Sequence, residues 1–125
     1  MKTILIVDDD KNLRRLYQEE LEAEGYRITL AANGREALAV VSSDLPDLVV
    51  MDIRMPEVDG LEAMARILRA HGRVPVLLNT AYASYKDSFL AWAAEGSIIK
   101  SSDLEPLKRR IREILHTQPS PQLTN

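Results

Sequence analysis

Thr3-Ile4-Leu5-Ile6-Val7-Asp8-Asp9-Asp10 is the stretch on which the fold turns. An unbroken aliphatic run with no alternating polar partner suits a strand buried on both faces, and its β-branched side chains favour that conformation. Three carboxylates then end the run where an export signal would stay apolar, so the N-terminus reads as a strand and not a leader. Directly after them, Asn12 to Glu24 puts Leu13, Leu16, Tyr17 and Leu21 at helical spacing, which predicts a helix with one buried stripe.

The same alternation continues outward. Arg27 to Ala31, Leu48 to Met51, Pro75 to Asn79 and Ser97 to Ile99 read as further strands. Gly34 to Ser43 and Tyr85 to Ala94 read as short helices. Leu61, Met64, Ala65 and Leu68 mark one face of another, and Leu104, Leu107, Ile111, Ile114 and Leu115 line one side of a last helix. Gly25, Gly60, Gly72 and Gly96 fall at or near the joins. Strands alternating with helices predict an α/β, three-layer, doubly wound sandwich: a five-stranded parallel sheet with five helices on its two faces. In the order 2-1-3-4-5, strands one and three flank the point where the winding reverses, and ligands of such sheets sit there, outside the carboxyl edge.

At 125 residues and 14.1 kDa the chain suits one domain, residues 1–117, followed by a polar, Pro-containing tail, 118–125, expected to be disordered. A 46% apolar fraction supports a core without staples. With no cysteine, disulfide frameworks, thiolate metal sites and cysteine nucleophiles are excluded, and a cytoplasmic setting is expected. No window approaches the ~20 apolar residues of a membrane span, so no membrane partner is expected. Sixteen basic and nineteen acidic residues give a net charge of -3, which argues against direct nucleic-acid binding.

The chemistry gathers at strand ends. Asp8, Asp9 and Asp10 follow strand one, Asp52 strand three, Thr80 strand four and Lys100 strand five. Carboxylates crowded in one pocket need a cation to stay ionised together. All-oxygen ligands select Mg²⁺, with Mn²⁺ as the alternative, over zinc. A Thr hydroxyl and a Lys ammonium opposite would hold a small anion. Together these parts suit phosphoryl transfer to a carboxylate. Taken singly, each has a plainer explanation: Asp8 to Asp10 as a solvated helix cap, Asp52 and Met55-Pro56 as turn chemistry, Thr80 as a cap, Lys100 as a surface lysine. Their joint placement on four strand ends favours the site.

Ile4 to Asp10, Val49-Val50-Met51-Asp52-Ile53-Arg54-Met55-Pro56-Glu57-Val58-Asp59-Gly60, Thr80-Ala81 and Lys100 resemble the receiver domain of bacterial two-component response regulators, of the chemotaxis-regulator-like, flavodoxin-like fold. The resemblance covers residues 2 to about 116. It implies that Asp52 accepts phosphoryl from a sensor histidine kinase or phosphotransfer protein, and that the chain catalyses only its own modification. By it, Asp9, Asp52 and the backbone carbonyl of Arg54 hold Mg²⁺, Asp8 acts through water, and Thr80 and Lys100 bind the phosphoryl group. Asp10 stands at a position that varies in the family and is assigned to capping the first helix. Arg54 and Tyr82 flank the family's path for hydrolytic water. A downstream protein or output domain, reached through the face between the helix at 85–94 and the last helix, and a phosphorylation-dependent homodimer are the partners it implies.

Two positions depart from the pattern. Ser97 stands where receivers usually carry a switching aromatic, and Ser101 replaces the proline that usually follows the lysine. Tyr82 is the candidate replacement for the ring, with a static lid as the alternative. A trans Lys100–Ser101 bond or an altered loop is expected, because a cis bond before a non-proline costs about 2.5–4 kcal/mol. Tyr85, Phe89 and Trp92 read as packing residues. Lys108, Arg109, Arg110 and Arg112 read as a solvated helical face, and neither His71 nor His116 is assigned a role. Two rival classes fit less well. A haloacid-dehalogenase-type phosphohydrolase would use Asp8-x-Asp10, yet Lys11-Asn12 replaces its Gly-Thr and Asp52 is left unexplained. A flavin-binding domain would need a phosphate loop where three carboxylates stand.

Overall fold

Every strand of the sheet runs parallel, in the order β2-β1-β3-β4-β5. In the computed structural model the described residues are 1–52, 59–80, 96–99 and 102–116. The strands are β1 (Thr3–Val7), β2 (Arg27–Ala31), β3 (Leu48–Met51), β4 (Val76–Thr80) and β5 (Gly96–Ile99). The helices are α1 (Lys11–Ala23), α2 (Gly34–Ser43), α3 (Asp59–Ala70) and α4 (Glu105–His116). The helix expected at Tyr85 to Ala94 and the tail from 117 lie outside the described residues. β4 includes Thr80, one residue later than the sequence suggests, and β5 begins at Gly96, one earlier.

The pleat divides the core into two layers. Leu5, Val7, Val49, Met51, Val76 and Leu78 face one way, onto Ala37 and Val41 of α2 and Ala63 and Ile67 of α3. Ile4, Ile6, Leu48, Val50 and Leu77 face the other, onto Tyr17 and Leu21 of α1 and Leu107, Ile111, Ile114 and Leu115 of α4. Strand side chains from Ile4 to Val7 and Leu48 to Met51 are essentially inaccessible. This is the two-sided burial that their uninterrupted aliphatic runs require.

Local signals set the helix ends. Asp10 caps α1, its carboxylate accepting from the amides of Asn12 at 2.9 Å and Leu13 at 3.2 Å. At the other end Gly25 adopts φ 100°, the Tyr26 amide donates to the Leu21 carbonyl at 3.3 Å and the Gly25 amide to Glu22 at 3.0 Å. That pair of bonds is a Schellman stop, and it requires the left-handed residue that glycine supplies without strain. Asn33 caps α2 through the Glu36 amide at 2.9 Å.

Two expectations are corrected. Leu16 is not part of the buried stripe of α1; it is 38% exposed, because the helix turns Tyr17 and Leu21 inward and leaves Leu13 half-buried. In α3, Ala63 and Ile67 are sealed into the core, and Leu68 of the expected face packs half-buried against them. Nor do the basic residues of α4 form a simple solvated face. Lys108 Nζ lies 2.8 Å from Glu20 Oε1, and Arg112 Nη1 lies 3.1 Å from Glu24 Oε1, so both tie α4 to α1. The Lys108 side chain is 12% exposed, its stem lying along the core while the ammonium reaches the carboxylate. Below this seam the His116 ring stacks on Tyr26 at 5.7 Å, and the Tyr26 hydroxyl and His116 Nε2 share a 3.1 Å hydrogen bond.

Candidate phosphoacceptor site at the carboxyl edge of the sheet

Register brings the acids together. Val7 pairs with Met51, so the residues that follow them, Asp8 and Asp52, leave the sheet side by side. The Asp8 amide continues the ladder to the Ala31 carbonyl at 3.1 Å, and the Asp52 amide to the Val7 carbonyl at 2.9 Å. Both aspartates are 1% exposed, whereas Asp9 is exposed. Asp8, Asp9 and Asp52 each bring a carboxylate oxygen within 4.8 Å of the others. Asp10 takes no part in this group; its side chain is engaged at the α1 cap.

Helix α1 stiffens the turn that carries Asp8 and Asp9. The Asp10 amide donates to Asp8 Oδ1 at 2.9 Å, orienting that carboxylate. Arg14 Nη1 donates to the Asp8 carbonyl at 2.7 Å, a bond from the second turn of α1 back to the strand end. Thr80 closes β4 in register with Ile99, which places its backbone at the same edge as Asp8 and Asp52. Ser97 lies within β5, paired with Leu78. Arg54, Tyr82 and Lys100 lie outside the described residues, as does the Lys100–Ser101 bond.

The residues fit a hard divalent cation. The donor set is three carboxylates with no nitrogen or sulfur, which selects Mg²⁺ over softer metals. Asp8, Asp9 and Asp52 would hold such an ion at the edge where β1 and β3 end. Like charges this close repel, and the cation removes that repulsion.

Sequence reasoning missed Arg14, which carries no signal because basic residues on an exposed helix are common. It also missed Asn79. Asn79 Nδ2 donates to the hydroxyl of Tyr17 at 3.1 Å, and the two residues are 3% and 2% exposed. Here a signal existed: a lone amide at the end of the aliphatic run Val76-Leu77-Leu78.

The model of the response regulator receiver domain matches residues 4–112. The chain belongs to this family. Among curated relatives, the receiver is 39% identical over 117 residues to the regulatory protein AtoC of Escherichia coli (strain K12), covering 92% of this chain and 25% of AtoC. It spans between a quarter and just over half the length of the curated relatives it matches. Among solved structures, the response regulator TrrA of Thermotoga maritima in complex with Mg²⁺-BeF superposes with a TM-score of 0.88 at 42% identity, covering 92% of this receiver and all of that chain. TrrA in complex with the histidine kinase ThkA superposes with a TM-score of 0.85, also at 42% identity, covering 92% and 99% of the two chains. The receiver therefore has the fold and family of a two-component phosphorylation switch. Among its described residues, no helix is long and apolar enough to cross a membrane.

Proposed function

We propose that this receiver is phosphorylated on Asp52 by a histidine kinase or phosphotransfer protein and relays the change to an output domain or protein. The observation that carries this reading is the meeting of Asp8, Asp9 and Asp52 at the edge where β1 and β3 end. A carboxylate oxygen of Asp52 attacks phosphorus, the bond to the donor breaks, and its electron pair leaves with the donor group. Asp8 and Asp9, with Asp52 and the Arg54 carbonyl, would hold Mg²⁺, Mn²⁺ serving in its place. The bound ion supplies neutralisation of the charge on the phosphoryl oxygens.

Thr80 and Lys100 donate to the phosphoryl oxygens, Thr80 from the end of β4 and Lys100 just after β5. The chain turns over no other substrate; it forms and loses its own acyl phosphate, in the cytoplasm. Because Ser97 offers no ring, Tyr82 supplies the aromatic movement that reports on Thr80. The output partner engages the side of the molecule around the last helix, and neither nucleic acid nor membrane is a direct ligand. A second phosphorylated copy is a partner of the same kind. The TrrA complexes with Mg²⁺-BeF and with a histidine kinase support this reading by similarity.

Incubation with a small acyl-phosphate donor and Mg²⁺ tests it, with intact mass and peptide mapping as the readout. One phosphoryl group on Asp52, absent when the metal is chelated before the donor is added, is expected. Labelling of Asp52→Asn to the wild-type extent overturns the assignment.

A further inference from the structure

The hydrogen bond between Asn79 and Tyr17 lies in a layer otherwise built from Ile4, Ile6, Leu21, Val50, Leu77 and Ile111. A neutral hydrogen bond between groups withdrawn from water adds little net stability, and replacing both partners by apolar groups of similar shape is close to neutral. What such a bond does supply is direction, because losing it leaves two buried polar groups without each other.

Its location gives that direction a use. Met51 pairs with Leu78, so Asn79 occupies the row of the sheet that Asp52 enters, and Thr80 is the next residue along β4. Tyr17 stands about two turns into α1. The first turns of that helix are tied to the acidic turn by the Asp10 cap and by Arg14 on the Asp8 carbonyl at 2.7 Å. Helix α1 thus acts as a strut, fastened at one point to the strand end carrying Asp8 and at another to the strand end carrying Thr80.

We propose that Asn79 is a positioning residue: held by Tyr17, it sets where the end of β4 presents Thr80 relative to Asp8 and Asp52. This rests on the phosphoacceptor reading for its consequence, and on geometry alone for the placement of Thr80.

The test compares Tyr17→Phe, Asn79→Leu and the double variant with wild type. Each single change removes the bond between two buried polar groups and lowers the melting temperature, while the double variant recovers most of the loss. Labelling by acetyl phosphate in saturating Mg²⁺ is followed in each, and the Thr80 amide shift is recorded without donor in Tyr17→Phe, where residue 79 is unchanged. The expected result is a stable double variant whose maximal labelling rate is about tenfold or more below wild type, with unchanged half-saturation by donor, and a Tyr17→Phe protein whose Thr80 amide is displaced. A stable double variant with the wild-type rate, together with a wild-type Thr80 shift in Tyr17→Phe, overturns the proposal. If the double variant does not fold, Tyr17→Phe decides by the same two readouts, since it keeps the ring and removes only the hydroxyl. Because the Thr80 shift needs no donor, a wild type that takes up no phosphoryl group refutes the functional reading while the shift still decides on Asn79.

Discussion

The amide of Asp52 donates to the carbonyl of Val7 at 2.9 Å, which continues the β1–β3 ladder one step past the strands and brings Asp52 alongside Asp8. Two residues far apart in sequence thereby become neighbours through backbone bonding alone, before any side chain interacts.

Asp9 is the exposed member of the acidic trio, so its replacement disturbs the core least. Asp9→Ala should weaken Mg²⁺ binding by about tenfold or more, and the apo protein should melt higher because one like charge is gone. Calorimetric titration with Mg²⁺ and thermal melts with and without metal check both. An unchanged affinity removes Asp9 from the metal site.

Asp10 lies next to the trio but serves the helix. Asp10→Ala should cost about 1 kcal/mol through loss of the α1 cap, while labelling of Asp52 keeps its stoichiometry. Chemical denaturation and intact-mass analysis separate the two effects. Loss of labelling in a folded Asp10→Ala protein would place Asp10 in the site.

Leu21 is fully buried and Leu16 is 38% exposed, though both lie on α1. Leu21→Ala should lose about 2–5 kcal/mol and Leu16→Ala well under half of that. Equal losses in urea titrations would contradict the observed rotation of the helix.

Stability should fall as the solution becomes strongly alkaline. Burial, with Glu24 adding to it, raises the Tyr26 phenol above its ordinary value of 10.0, and the hydrogen bond to Glu20 raises the Lys108 ammonium above 10.5. Groups whose pKa is raised on folding hold more protons in the native state. Their stabilisation is therefore complete below the ordinary values and is lost as pH rises through the folded ones. Melting temperatures between pH 9 and 12 should decline less steeply in Tyr26→Phe and Lys108→Met than in wild type. Parallel curves for all three proteins would exclude both groups as the source.

Tyr82 takes the place of the missing ring in the proposed switch. In Tyr82→Ala, a phosphoryl mimic should still bind at Asp52, while the shift changes it induces between Tyr85 and Trp92 and in α4 should shrink by at least half. Undiminished changes in the two-dimensional amide spectrum would remove Tyr82 from the relay.

The sequence by itself determined the layer architecture, the five strands and the acidic edge. Their signals are local: an unbroken aliphatic run such as Ile4 to Val7 has few places to go but the middle of a parallel sheet, and Asp10 and Gly25 begin and end α1 through bonds to residues within a turn or so. Asp8, Asp9 and Asp52 were legible as one site because four strand ends, two carrying acids and two carrying Thr80 and Lys100, share a single edge in this topology. Tertiary structure alone decided the finer rotation of α1 about its axis, and with it the contacts that depend on which of its side chains turns inward. Neighbouring positions on a helix differ by about 100°, so periodicity leaves open whether Leu16 or Tyr17 turns inward. That choice buries Tyr17 against Asn79, pairs Lys108 with Glu20 and Arg112 with Glu24, and stacks His116 on Tyr26. Each of these contacts joins residues distant in the chain, and their partners are chosen by how the packed layers interlock, which no local pattern encodes.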